Sequence, residues 1–377
     1  MIVRVELRDK DFNILEFLDN EFLNLRWEYN RIGGCGSFSF ELPRAYCNEK
    51  FISGDFNVRI YVWNTSTKAF DLWYQGIVEN KSPNVRGQDE TIGVQGHGYQ
   101  AQLSRIQLRG VSFTSTEISV IVKSLLDNYI VPNTDIIYSA ADIAGTNFTP
   151  DSIEFNTDAL NAIQTLADIT GTREWGVDEN RSFFFKQRSS TQGLNFVLGD
   201  KITSFTDDDS FKDIVNRVVI QGGDVGGSPF SPNPTGSAYN DTSSQTKYGR
   251  RDLPYQNSSI VTAAVAEQFA ASVLAEKKDV VRRARVELVN YETQIESTIP
   301  IPLFALIARA TFYGEKYYGT FLYSGQITYQ VNRISYALAS NDSVLTTGLE
   351  LGQPRPDISE SIAQLKYALE QLRSASL

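Results

Sequence analysis

The sequence predicts a β-rich α+β protein whose N-terminal part is a strand barrel or sandwich, and three observations carry that expectation. Aromatic residues make up 12% of the 377 residues, with 18 Tyr and 22 Phe against 1 Met, a composition that suits pleated sheets better than helical bundles. Short apolar runs separated by turn-rich links recur along residues 1–108 at the spacing of an all-β unit. Beyond them, stretches with a helical apolar stripe alternate with further strand-like runs.

The clearest single strand is Gly33-Gly34-Cys35-Gly36-Ser37-Phe38-Ser39-Phe40-Glu41-Leu42-Pro43. Phe38, Phe40 and Leu42 fall on one face and Ser37, Ser39 and Glu41 on the other; the glycines permit a tight entry and Pro43 ends the pairing. The full set of N-terminal strands reads 2–7, 12–17, 22–29, 37–42, 57–63, 72–79 and 90–96. A helix then starts at Ser115-Thr116-Glu117 and runs through Leu126, with Pro132 closing the region. The next helix is capped by Thr157 or Asp158, turns Leu160, Ile163, Leu166 and Ala167 inward, and stops at Gly171. A hairpin over 173–187 turns at Asp178-Glu179-Asn180.

Strands resume at 194–198 and 214–221, and residues 222–247 then hold five Gly and three Pro in 26 positions. That composition predicts a flexible loop, because it buries too little apolar surface to offset chain entropy. An alanine-rich helix over 259–283 places Ala266, Phe269, Val273 and Val280 on one stripe, and strands return over 284–350 with a hairpin from Tyr317 to Val331 turning at Ser324-Gly325. The chain ends on Ile358, Ile362, Leu365, Leu369 and Leu372, spaced 4, 3, 4 and 3, which form one seam of an amphipathic helix and are the candidate oligomer or partner contact.

Composition narrows the function. The net charge of −10, from 35 basic and 45 acidic residues, gives no global footprint for nucleic acid. No stretch reaches the ~20 apolar residues that span a bilayer, and the alternating start Met1-Ile2-Val3-Arg4-Val5-Glu6-Leu7 predicts no secretory leader. The inventory for catalysis is thin, with His97 the single histidine and Cys35 and Cys47 read as separate thiols. A Cys-His dyad is weighed against a polar histidine at a barrel edge, and the latter is favoured. Asp207-Asp208-Asp209 lacks the spaced ligands of a calcium loop and reads as a solvated turn. Gly222-Gly223 and Gly226-Gly227 are followed by no Lys-Ser/Thr, so they read as loop glycines and not as a phosphate cradle. No catalytic, cofactor-binding or metal-binding residue is assigned.

Taken in order, several of these segments resemble phage tail hub proteins, the family that includes contractile-tail baseplate hubs and siphophage tail-associated proteins. The resemblance rests on the 33–43, 57–63 and 72–79 strands, on Gly93-Val94-Gln95-Gly96-His97-Gly98 leading to Leu103-Ser104-Arg105, and on Asp158–Ala167 leading through Thr170-Gly171 to Trp175-Gly176-Val177-Asp178 and Arg181–Phe185. Tyr248-Gly249-Arg250-Arg251 and Gly352-Gln353-Pro354-Arg355-Pro356 complete it. It implies two barrel-like, tube-related domains with α/β insertions and a C-terminal helix: 1–108, then an α/β unit at 109–193, a second barrel at 194–352 and the helix at 353–377. It also implies a homotrimer at a virion tail tip or baseplate, assembled in the host cytoplasm, with distal tail, tail tube and tape-measure proteins as partners and further tip or fibre proteins beyond. DNA would pass without specific binding, and no cofactor is expected. Because the chain stops at Leu377, the wall-cleaving extension of some relatives is not expected here. A cell-wall hydrolase and a carbohydrate-binding adhesin are the alternative functions.

Overall fold

A computed structural model describes residues 2–19, 21–46, 56–86, 89–171, 173–189, 196–197, 202–289, 294–295, 300–305, 309–311, 318–320, 325–338 and 344–352. The N-terminal strands are β1 (Val3–Asp9), β2 (Ile14–Asp19), β3 (Leu23–Asn30), β4 (Gly33–Pro43), β5 (Phe56–Asn64), β6 (Ala69–Arg86) and β7 (Asp89–Gly98), matching the predicted seven. On β4 the expected alternation holds, with Phe38, Phe40 and Leu42 buried and Ser37, Ser39 and Glu41 partly exposed. A 3-10 turn, Tyr99–Arg105, closes this part.

β8 (Val111–Thr114) leads to α1 (Ile118–Leu125), whose N-cap is Glu117. A π turn at Leu126–Ile130 and a 3-10 turn at Val131–Asn133, which contains Pro132, end it. After β9 (Ile137–Ile143) and β10 (Ser152–Phe155) comes α2 (Ala159–Thr170). Its N-cap Asp158 accepts from the Asn161 amide at 2.9 Å, and Gly171 caps the C-terminus at φ 64°. β11 (Arg173–Val177) and β12 (Ser182–Gln187) form the predicted hairpin.

The C-terminal half adds β13 (Phe196–Val197), β14 (Ile202–Ser210), β15 (Arg217–Gln221), β16 (Asp224–Val225), β17 (Ser228–Pro229), α3 (Thr242–Tyr248), β18 (Asp252–Gln256) and α4 (Ala263–Lys277). β19 (Val281–Val289), β20 (Pro300–Ala305), β21 (Arg309–Thr311), β22 (Tyr318–Thr320), β23 (Gly325–Leu338) and β24 (Leu345–Gly352) follow.

One sheet joins the two ends of the chain in the order β14-β19-β24-β23-β3-β4-β7-β6-β5-β1-β2. The seam is β23 against β3, where Tyr336 lies opposite Trp27 and their rings stack at 5.0 Å. A first core is accordingly built from both ends, with Val5, Phe40, Ile60 and Val94 packed in one cluster with Val286, Ile334 and Leu349. A second core holds α1, α2 and α4 against Tyr99, Trp175, Phe183 and Phe185. It meets the sheet through β11, which pairs in parallel with the start of β4.

Several expectations change. The acidic run Asp207–Asp209 is strand, not turn: it lies in β14 in register with Ala284, Arg283 and Arg282 of β19, a long-range pairing invisible to local composition. The predicted 259–283 helix is α4 alone; Val280 lies beyond it, and the chain at Val281 enters the sheet. Of the expected Tyr317–Val331 hairpin, the turn at Ser324 lies outside the described residues, and among those described β22 pairs with β21 while β23 pairs with β20, β24 and β3. A glycine marks a place where a turn is easy; it does not choose the partner strand. The 222–247 segment contains the β16–β17 hairpin and α3, with Tyr239 and Ser244 buried, so its low apolar content is compensated by backbone bonding.

Candidate partner interface

Ile358, Ile362, Leu365, Leu369 and Leu372, the contact seam expected from sequence, lie outside the described residues. The sheet margins carry the other candidate contact surface. Among the described residues β2 pairs only with β1 and β14 only with β19, at the two ends of the main strand order, while β9 and β13 are end strands off it. An open edge presents unpaired N–H and C=O groups and is a template for another strand.

The β2 edge is also apolar. Ile14 and Phe17 are 50% and 43% exposed. Across the same sheet face the Arg4 guanidinium lies 5.3 Å from the Phe17 ring and 4.4 Å from the Phe70 ring. Asp19 holds that guanidinium through two bonds, of 2.5 and 2.9 Å, and raises its pKa by the hydrogen bond. Trp63 packs edge-on against Phe70 at 5.1 Å. Exposed aromatic rings with an immobilised arginine match the composition of buried interface centres. The sequence carries a trace of this, since Ile14-Leu15-Glu16-Phe17-Leu18 places apolar residues on both faces of a strand at the sheet margin.

The residues weighed for chemistry are held apart from it. His97 is exposed on β7, its Nδ1 2.9 Å from Glu79 Oε2, and Arg105 Nη2 donates to Glu79 Oε1 at 3.2 Å. A bulge between Val78 and Asn80 positions Glu79 for both. Cys35 is a free thiol sealed in the first core, and burial pushes its pKa well above the ordinary thiol value. Cys35 and His97 form no bond to each other among the described residues. Cys47 lies outside the described residues. Gly226 and Gly227, at φ 64° and 90°, form the tip between β16 and β17. Gly222 and Gly223 lie where a Cβ would meet Ile260 O at 1.9 Å and Ser258 O at 2.2 Å, so both serve backbone packing.

No protein-family model and no curated protein matches the chain. Solved structures do. The 43 kDa tail protein of prophage MuSo2 from Shewanella oneidensis superposes with a TM-score of 0.61 at 13% identity, covering 92% of this chain and 98% of that one. A tail protein from Neisseria meningitidis MC58 gives 0.60 at 10% identity, covering 93% and 96%. Prophage tail protein gp18 from Listeria monocytogenes EGD-e gives 0.57 at 14% identity, covering 98% and 100%. At these identities the likeness establishes a shared fold over nearly the whole of each chain, and the neighbours are phage tail proteins, in line with the resemblance carried by the motifs.

Proposed function

We propose that this protein is a structural hub subunit at the distal end of a phage or phage-derived tail. The observation that carries the reading is the coverage: three tail proteins are matched over 96–100% of their own length, so the likeness is to whole subunits and not to a widespread module. The thiol and histidine geometry supports a mechanical role over a catalytic one.

In this reading three copies form a ring. Each contributes two barrel-like units, the N-terminal and C-terminal arms of the one sheet on either side of the β3–β23 seam. Six similar faces then meet a sixfold tube while the subunits obey threefold symmetry. The β2 edge, with the exposed Ile14 and Phe17, is where a second copy would pack, and the terminal seam from Ile358 to Leu372 would fasten the ring or its neighbour. Tail tube, distal tail and tape-measure proteins are the expected partners, and the ring closes or gates the path of DNA. Electron microscopy of the purified protein, alone and with its neighbouring tail proteins, tests this: threefold rings are expected. A chain that stays monomeric in both conditions overturns the proposal, and turnover of purified peptidoglycan would replace it with a hydrolase.

A further inference from the structure

Where β11 joins β4, four charged side chains from four parts of the chain converge. Glu174 of β11 is fully buried, with Oε1 3.7 Å from Arg31 Nε and 3.5 Å from Arg188 Nε. Arg31 lies between β3 and β4 and is itself buried; Arg188 follows β12 and reaches Glu276 of α4 at 3.5 Å. Lys186, the cross-strand neighbour of Glu174, instead points to Asp142 at 3.4 Å. The distances around Glu174 suit ion pairs but exceed hydrogen-bond length. Neither oxygen of Glu174, nor the Nε of Arg31 or Arg188, has a hydrogen-bond partner among the described residues.

A buried carboxylate without hydrogen bonds is costly to ionise. Burial pushes Glu174 up to about 7, against the opposing pull of Arg31 and Arg188, and burial lowers Arg31 to about 10. The strand link beside the cluster is slight. It consists of Gly176 opposite Gly33 and Val177 opposite Gly34, with backbones so close that a Cβ on Gly34 would stand 2.1 Å from Val177 O. Three of these four positions carry no side chain, so the charged cluster is one of the side-chain contacts at the joint, beside Ile32 and Ile77, which pack on the second core.

We propose that Arg31, Glu174, Arg188 and Glu276 form a proton-operated lock on the joint between the sheet and the helical unit, closed when Glu174 is protonated and eased when it ionises. Opening admits water to the carboxylate and returns it toward its ordinary value of 4.5. The closed joint therefore binds the proton more tightly than the open one. Closure is favoured at low pH, and that advantage declines as pH rises from about 4.5 to about 7. The inference concerns this chain's own groups and holds whether or not the chain assembles into a tail.

Hydrogen–deuterium exchange on the full chain tests it, following peptides that contain Gly33, Gly34, Gly176 and Val177 at about pH 5.5 and about pH 8 after correction for intrinsic rates. Protection at the joint is expected to fall about tenfold at the higher pH, while the β1–β5 pairing stays unchanged. Glu174→Gln, neutral and of the same shape, should keep the joint protected at both values. Glu276→Gln should move the transition to lower pH, because Arg188 then answers to Glu174 alone. Joint protection that is independent of pH in the native chain overturns the proposal, as does a native-like pH response in Glu174→Gln.

Discussion

Asn216 ties three segments together from a fully buried position. Its Nδ2 donates to Gly249 O at 2.7 Å, its Oδ1 accepts from the Arg251 amide at 2.7 Å, and its carbonyl accepts from the Asp241 amide at 2.9 Å. Asn216→Leu keeps the size but leaves Gly249 O and the Arg251 amide without those partners, so a loss of about 2–4 kcal/mol is expected in urea unfolding. A loss below about 0.5 kcal/mol would show that water takes over both bonds. Glu117 plays a comparable part, accepting from the Ser119 amide at 2.9 Å and the Thr146 amide at 2.7 Å. Burial works to raise its pKa, but the bonds from Ser119, Thr146 and Val120 outweigh it and leave the carboxyl below its ordinary 4.5. Stability from this group is thus present above that value and lost as pH falls through the lower folded one. Glu117→Gln should flatten that part of the acid unfolding curve, and an unchanged curve would remove the assignment. Asp158 and Gly171 were legible in the sequence because a cap acts within a few residues. Asn216 was not, because its partners lie 25 to 35 positions away.

Local pattern was enough wherever an element's own residues choose its state. β4 has period two and ends on proline, and α2 has a cap at each end, so both were read correctly. β14 failed that test, since Asp207–Asp209 disfavours strand locally and pairs only because β19 lies beside it. The 222–247 segment failed similarly, and its anatomy sharpens the expectation for proteolysis. Gly226 and Gly227 are open, whereas Ser244 of α3 is buried and donates to Lys278 O at 2.5 Å. Limited proteolysis should therefore cut at the β16–β17 tip and spare 239–248. Early cleavage within α3 would show that the helix is not held. At α2, Gly171→Ala places a Cβ 2.3 Å from Ser272 Cβ on α4, at φ 64°. A loss of about 1–3 kcal/mol in thermal or urea unfolding is expected from strain and overlap together. A neutral result would mean that α4 shifts freely against α2.

At the scale of the whole molecule, the sequence disclosed a β-rich α+β class, but not that the first and last strands share one sheet and one core. Nothing local in Trp27 or Tyr336 announces their stacking, because a pairing across about 300 residues is chosen by burial on both faces and not by propensity. The same reasoning governs assembly. If copies join through the β2 edge, Phe17 loses its 43% exposure at each junction and Ile14 its 50%. Because each is already half buried, covering both is together worth about 1.5–3 kcal/mol, or roughly 10–150-fold in affinity at each interface. Phe17→Lys removes its share of that gain and sets a charge at the edge, the device by which natural sheets avoid pairing. The variant should fold with an unchanged far-ultraviolet spectrum, while light scattering shows its ring dissociating at a protein concentration at least tenfold higher than the native chain's. Because the residue lies outside the first core, loss of assembly with retained folding would place the junction at β2. Rings as stable as the native ones would move the junction to β14 or to the seam from Ile358 to Leu372, where Leu365→Asp with Leu369→Asp should then abolish them.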